Sequence, residues 1–360
     1  LDLEKNTDLI YQIGLWLGVA IIATICVLMI FVTILRLKLL YSNHRSNNFL
    51  NTWQPLLESA SNNGLPDILP AITRLDRFKF LALWIQCYEN HSNNEESLGR
   101  LRTLLTKTGM VTHARKMIRT AMTRSRLTAV IALGYLQNEQ EWDELHKIAS
   151  SPDPFISLVA AHALVHIDKT KATPIFIDLI KKHLDWPATK VASILEKLGP
   201  ELITEALIDM ILSTSSEQQA ALIPYLSTCE KEATQSVVHK ILQTTENDSL
   251  IAPCLKVLAE FGDKQDLSTI RSYLNHELWH IRVQAAICIG KTGNIEDEGA
   301  LLELLRDKHW WVRYRAAQAL AKLPFVDRQK LLDYKNTLDD NYGKDILTQI
   351  IAETDSNHHD

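Results

Sequence analysis

Apolar positions along this chain follow two patterns. The first is one unbroken stretch: from Leu9 to Leu35 there are 27 residues without a charge, among them Trp16, Ile21, Ile22, Val27, Leu28, Met29, Ile30, Phe31 and Val32. About 20 apolar residues suffice for a helix to cross a bilayer, so residues 9–35 predict one transmembrane helix. The second pattern is periodic. Blocks of small and apolar residues centred on Ala129, Ala160, Val191, Ala221, Cys254, Ala285 and Ala316 return at steps of 31, 31, 30, 33, 31 and 31 residues. Within a block the spacing is i, i+3, i+4, as in Ala316, Ala319 and Leu320, which is one face of a helix. A second apolar helix follows, as in Leu301, Leu302, Leu304 and Leu305, or Ile203, Leu207, Ile208 and Ile211. A hairpin of this length buries its apolar face only against its neighbours, so such repeats stack. The predicted fold is all-α: an α-solenoid of about seven helical-hairpin repeats, preceded by one N-terminal transmembrane helix.

These patterns divide the chain into an extracytoplasmic N-terminus (1–8), the transmembrane helix (9–35), a basic juxtamembrane linker (36–48), an N-terminal helical cap region (49–121), the repeats with a C-terminal cap helix (122–353) and a disordered tail (354–360). Gly199, Gly262 and Gly293 share one slot after the first helix of a repeat, where a left-handed C-terminal cap favours glycine. Asp2, Glu4 and Asp8 precede the apolar stretch against Lys5 alone, and Arg36, Lys38 and Arg45 follow it. These flanks predict a permanent anchor in place of a cleaved leader, and the positive flank predicts a single-pass inner-membrane protein with its N-terminus outside and its repeats in the cytoplasm. The five cysteines are scattered, with no C-x-x-C pair, and read as core thiols of a reducing compartment. Gly14 and Gly18 form a G-x-x-x-G, a candidate packing face for a second membrane helix, and a homo-oligomer is one partner class it suggests.

The net charge of −5 conceals a division. Residues 36–128 carry 14 Lys or Arg against 6 Asp or Glu, net +8, whereas 129–360 carry 23 against 34, net −11. Arg115, Lys116, Arg119, Arg124 and Arg126 are the candidate binding residues. Three readings stay open for them: a solvated helix surface, a contact with anionic lipid headgroups, and a dock for an acidic protein. Nucleic acid is not expected, because the acidic remainder would repel phosphate. Trp279 and Trp310 share a register slot, which predicts packing between repeats; Trp311, with His280 in its place one repeat earlier, is the surface candidate.

Leu278 to Gly290, L-W-H-I-R-V-Q-A-A-I-C-I-G, and His309 to Ala321, H-W-W-V-R-Y-R-A-A-Q-A-L-A, resemble HEAT repeats of the bacterial type also found in phycobilin-lyase-like proteins. The slot held by Arg282 and Arg313 is Ser157, Ala188, Gln218 and Ile251 elsewhere, so no regular arginine ladder is expected. One anchor followed by N-F-L-N-T-W-Q-P-L-L and the terminal W-W-V-R-Y-R-A-A-Q-A-L resembles membrane-anchored bacterial HEAT proteins. The resemblance implies a scaffold or adaptor for membrane-associated or cytoplasmic proteins, accessory to an envelope or polysaccharide-synthesis assembly.

The competing class is a HEAT-type enzyme or lyase with a metal or chromophore site. His276 to His280 spell H-E-x-x-H, which binds zinc when both histidines share one helical face. A shift of one repeat aligns them instead with the turn at Asp307 and the start of the next helix. His162 and His166 share a face with no recurring carboxylate. No phosphate loop, G-x-S-x-G or Cys–His arrangement is present, so neither a catalytic residue nor a cofactor is expected.

Overall fold

The computed structural model describes residues 2–65, 68–120 and 123–357, and every regular element among them is helical. The chain forms two compact units, Leu1–Leu136 and Gln137–Asp360.

The first unit holds α1 (Asp2–Asn63), α2 (Arg77–Asn90), α3 (Glu95–Lys107), α4 (Met110–Thr120) and α5 (Thr123–Leu136). Helix α1 changes character along its length. Its described side chains from Thr24 to Tyr41 lie in the open, and Thr24–Asn62 is, among the described residues, the one span long and apolar enough to cross a membrane. Beyond it Phe49, Trp53, Leu57 and Ala60 are buried, a stripe at helical spacing. Residues 36–48, expected as a linker, are helical throughout. No glycine or proline interrupts Arg36 to Gln54, and the stripe beyond fixes the helix by packing. Trp53 meets Phe80 of α2 edge-on at 4.8 Å between ring centroids. At the far end of α1, the Ser61 carbonyl has no intrahelical donor left; it accepts from Ser97 Oγ at 2.8 Å and from Arg100 Nε and Nη2 at 3.0 and 2.5 Å.

The second unit is built from helix pairs: α6 (Trp142–Ala149), α7 (Pro154–Ile167), α8 (Lys169–Lys182), α9 (Ala188–Leu198), α10 (Pro200–Leu212), α11 (Ser216–Leu222), α12 (Lys231–Thr244), α13 (Ile251–Phe261), α14 (Leu267–Ser272), α15 (Trp279–Thr292), α16 (Glu298–Leu304), α17 (Trp310–Lys322), α18 (Arg328–Thr337) and α19 (Asn341–Asn357). Helix α15 packs between α13 and α17, and α19 lies on α17 and α18. The periodic residues Ala160, Val191, Cys254, Ala285 and Ala316 are all buried, as is Ala129 on α5. Their small size lets neighbouring first helices close up. At Gly290 the approach leaves no room for a side chain: a Cβ there would stand 2.8 Å from the Cα of Ala319.

Three expectations are corrected. Ala221 is exposed and Leu222 is the buried residue of its repeat. Helix α11 is short and passes at once into a 3-10 turn, Ile223–Thr228, containing Pro224, so this repeat turns its apolar face one residue later. The glycine slot is not one conformation. Gly262 is left-handed (φ 64°, ψ 27°), Gly199 has φ 95° with extended ψ, and Gly293 has φ −65°. Gly293 is needed for space, since a Cβ would meet the Ile289 carbonyl oxygen at 2.5 Å. Lastly, α19 runs to Asn357, so residues 354–357, expected in the tail, continue the cap helix. Residues 358–360 lie outside the described residues.

A regularity not seen in the sequence alone is the cap that opens each second helix. Asn138, Asp168, Asp263, Asn294 and Asp327 accept backbone N–H bonds two or three residues ahead. Each removes one orphan donor of a helix N-terminus. Aspartate and asparagine alternate in this slot, and Gly199 and Glu230 interrupt it, which hides the period from residue identity.

Candidate protein-interaction surface

The turn between α16 and α17 is held by Arg282 of α15. Its Nε and Nη2 donate to Asp307 Oδ2 and Oδ1 at 2.7 and 2.9 Å, while Nη1 donates to the carbonyls of His276 and Glu277 at 2.7 and 2.8 Å. Burial pushes the Asp307 carboxyl up, but the hydrogen bonds from Arg282 and from the His309 N–H, with the Arg282 charge, outweigh it and leave it below the usual carboxylate range. One repeat on, Arg313 Nη1 donates to the Asp307 carbonyl at 2.7 Å. In the register corrected at Leu222, the same slot holds Gln219, whose Nε2 donates to the Ile211 carbonyl at 3.0 Å. Ser157 fills it earlier and donates to the Ala149 carbonyl at 2.5 Å. At these four positions the slot serves one task, satisfying a carbonyl of the preceding turn, with three residue types, whereas Ala188 and Ile251 have no side-chain donor to serve it.

On this clamped turn stands a row of aromatic rings. Trp279 stacks on His309 at 5.7 Å and meets His280 edge-on at 5.9 Å. Trp310 stacks on Tyr314 at 5.0 Å and meets Trp311 edge-on at 4.7 Å. Trp279, Trp310 and Trp311 are 38%, 43% and 51% exposed. Trp311 thus lies on the surface, and so do Trp279 and Trp310, which the shared slot had predicted to pack between repeats. The reason is position: both are the first residue of their helix, ahead of Ile281 and Val312 where the buried face begins. Exposed Arg306 and Lys308 border the rings, and the Arg315 guanidinium lies 5.7 Å over Tyr314. Tyr314 is tied to α19 through its hydroxyl, which donates to Glu353 Oε2 at 3.2 Å.

The five cations singled out in the sequence lie in the first unit on two helices. Arg115, Lys116 and Arg119 belong to α4, with Lys116 and Arg119 exposed; Arg124 and Arg126 belong to α5. Arg124 sits 6.0 Å over the Phe78 ring, and Arg126 Nε is buried without a hydrogen-bond partner. The structure adds cations the sequence reading missed. Arg77 Nη1 lies 3.4 Å from His113 Nδ1, and burial, then the charges of Arg77, Lys116 and Arg74, hold His113 below the ordinary histidine value. The signal was absent from the run because Arg74 and Arg77 precede it by a whole helix.

Gly14 and Gly18 lie on α1, and what packs against them lies outside what is described. His276 closes a 3-10 turn with extended backbone (φ −64°, ψ 146°) and His280 is in the first turn of α15, so the two rings of H-E-x-x-H hang from different elements. His276 Nδ1 accepts the Leu278 N–H at 3.2 Å. Among the described residues no three of His, Cys, Asp and Glu are gathered as metal ligands. His162 and His166 lie 4.6 Å apart, and burial, His166, Lys197 and Lys190 bring His162 down to about 3. Desolvation pushes the buried thiols Cys229, Cys254 and Cys288 up to about 11, 12 and 11, the state of inert core cysteines.

Residues 236–321, from α12 to α17, match the family model described as HEAT repeats. No curated protein matches the chain. Among solved structures, similarity is found to an engineered protein (16% identity, 76% of this chain and 84% of that one, TM-score 0.33). Similarity is also found to human deoxyhypusine hydroxylase in complex with glycerol (14%, 69% and 97%, TM-score 0.29). A third is the complex of CpcE and CpcF of phycocyanin lyase from Nostoc sp. PCC7120 (13%, 80% and 97%, TM-score 0.25). At these TM-scores the three likenesses carry no argument about activity.

Proposed function

We propose that this HEAT-repeat chain is a membrane-tethered scaffold: α1 crosses the bilayer, and the repeats present the Trp279–Trp310–Trp311 row to a protein partner. The observation that carries the reading is the row itself, three exposed tryptophans at the starts of α15 and α17, behind two turns that Arg282 holds. Rigid aromatic side chains on an ordered base are what interface hot spots are made of, because little conformational freedom is lost on binding. Arg306, Lys308 and Arg315 around the rings favour an acidic partner surface. The fully open apolar face of α1 supports the tether, and Arg36, Lys38 and Arg45 after it support a cytoplasmic location for the repeats. An envelope or polysaccharide-synthesis assembly is the setting that the resemblance to membrane-anchored bacterial HEAT proteins implies. The work is display and not catalysis.

The test is purification of the tagged full-length protein from its native membrane in mild detergent, with mass spectrometry of the proteins that co-elute. The reading expects a reproducible partner that is lost from the Trp310→Ala, Trp311→Ala variant while the chain stays in the membrane pellet after alkaline carbonate washing. A partner retained by that variant would overturn the docking surface, and a chain released by carbonate would overturn the tether.

A further inference from the structure

In the first unit, Arg45 ties the segment ahead of α2 to α1. Arg45 Nη2 donates to Asp76 Oδ2 and to Thr73 Oγ1, each at 2.7 Å, and Thr73 Oγ1 donates to the same Asp76 oxygen at 2.6 Å. Burial pushes the Asp76 carboxyl up, yet hydrogen bonds from Arg45 and Thr73 and the charges of Arg45 and Lys79 hold it below the ordinary value, so the tie is ionised at neutral pH. Tyr41, which closes the run of exposed side chains described from Thr24 on α1, is four residues before Arg45. At a rise of 1.5 Å per residue that is about 6 Å along the helix, inside a Debye length of roughly 8–10 Å.

The tied segment is unusual for a water-facing surface. Ile68 is 86% exposed and Leu75 is 73% exposed, and neither has an apolar cover. Arg74, between the two in sequence, is exposed, and Arg77 opens α2. Lys79 lies close enough to act on Asp76, and Lys116 of α4 close enough to act on His113 beside Arg77. Among the described residues from Ile68 to Arg77 the acid is Asp76, and it is already taken by Arg45. Aliphatic side chains with guanidinium groups beside them match a bilayer interface, where the apolar part enters the headgroup boundary and the cations meet phosphate.

We propose that the Ile68, Arg74, Leu75 and Arg77 edge rests on the anionic headgroup surface of the membrane that α1 crosses. It rests on the reading of α1 as a spanning helix. The edge gives the anchored unit a second point of attachment beside the helix. A single helix leaves rotation about its own axis free; a second contact away from that axis restrains it.

Amide hydrogen exchange of the full-length chain in lipid nanodiscs tests this, with discs of phosphatidylcholine compared with discs that also contain phosphatidylglycerol. The amides of residues 68–77 are expected to exchange more slowly in the anionic discs, and the gain to vanish in high salt. Arg74→Glu with Leu75→Ser, both exposed positions, is expected to abolish it, each lost cation counting for about fivefold, the factor that about 1 kcal/mol per cation near an anionic surface represents. Equal exchange in the two discs overturns the proposal, as does protection that appears only when a protein partner is added. Carbonate extraction of the same chain separates the two readings. A chain that resists extraction but shows no lipid-dependent protection at 68–77 sinks this inference and leaves the tether standing; a chain that is extracted sinks both.

Discussion

Arg282 and Asp307 form a two-bonded ion pair between α15 and the turn that follows α16, with side chains only 8% and 10% exposed. The same guanidinium holds the His276 and Glu277 carbonyls, so one side chain fixes both the turn before α15 and the turn before α17. The aromatic row stands on those turns: Trp279 follows the first and His309 to Trp311 follow the second. Removing one partner of such a pair leaves a poorly solvated charge, which costs more than the pair itself contributes.

Arg282→Met is therefore expected to destabilise the protein by about 3–5 kcal/mol, read from urea unfolding followed by tryptophan fluorescence. Adding Asp307→Asn to it should cost less than the two single changes combined, because the orphaned carboxylate is gone. Strict additivity in that cycle would show that the pair is not coupled.

Gly290 is expected to tolerate no side chain. A Cβ 2.8 Å from the Ala319 Cα forces α15 and α17 apart, so Gly290→Ala should lower stability by about 1–3 kcal/mol, the usual cost of overpacking. The gain in helix propensity, under about 1 kcal/mol, acts in the opposite direction and is smaller. Thermal unfolding of the two chains decides the sign.

Trp310→Ala with Trp311→Ala should separate binding from folding. Both residues are about half exposed, so partner capture falls while the thermal midpoint drops far less than for a buried ring. Trp84→Ala is the control, since Trp84 is fully buried and donates to the Leu101 carbonyl at 2.9 Å; it should cost about 3–5 kcal/mol. A midpoint that drops equally in both variants would mean that the row is structural.

His162 gives a pH dependence of definite sign. It is held neutral down to about 3, whereas an unfolded chain protonates it near 6.5. Between those values the unfolded state binds the extra proton, so stability falls as the pH drops, by at most about 1.4 kcal/mol per unit from this group. His162→Gln should flatten the stability profile between about pH 6 and pH 4. An unchanged slope would show that the ring is reached by solvent.

How far the sequence carried can be judged at particular residues. Small residues every 31 or so positions had to be buried, because a helix face with that spacing has no other stable place, and Ala160, Cys254, Ala285 and Ala316 are where it put them. The 27-residue uncharged stretch likewise specified a long apolar helix. These features are local: periodicity and length act through the bonds of one segment. At Ala221 the period misled by one residue, because Pro224 ends the helix early and lets the chain turn. The exposure of Trp279 and Trp310 was decided in three dimensions, by where the buried face of each helix begins relative to its first residue. The slot shared by Ser157, Gln219, Arg282 and Arg313 is a task and not an identity, since hydroxyl, amide and guanidinium all donate to a carbonyl. The tie between Arg45 and Asp76 spans 31 residues of unrelated sequence. No pattern announces such a pair; only packing of α2 against α1 brings the two charges within reach, and with them the exposed edge at Ile68 and Leu75.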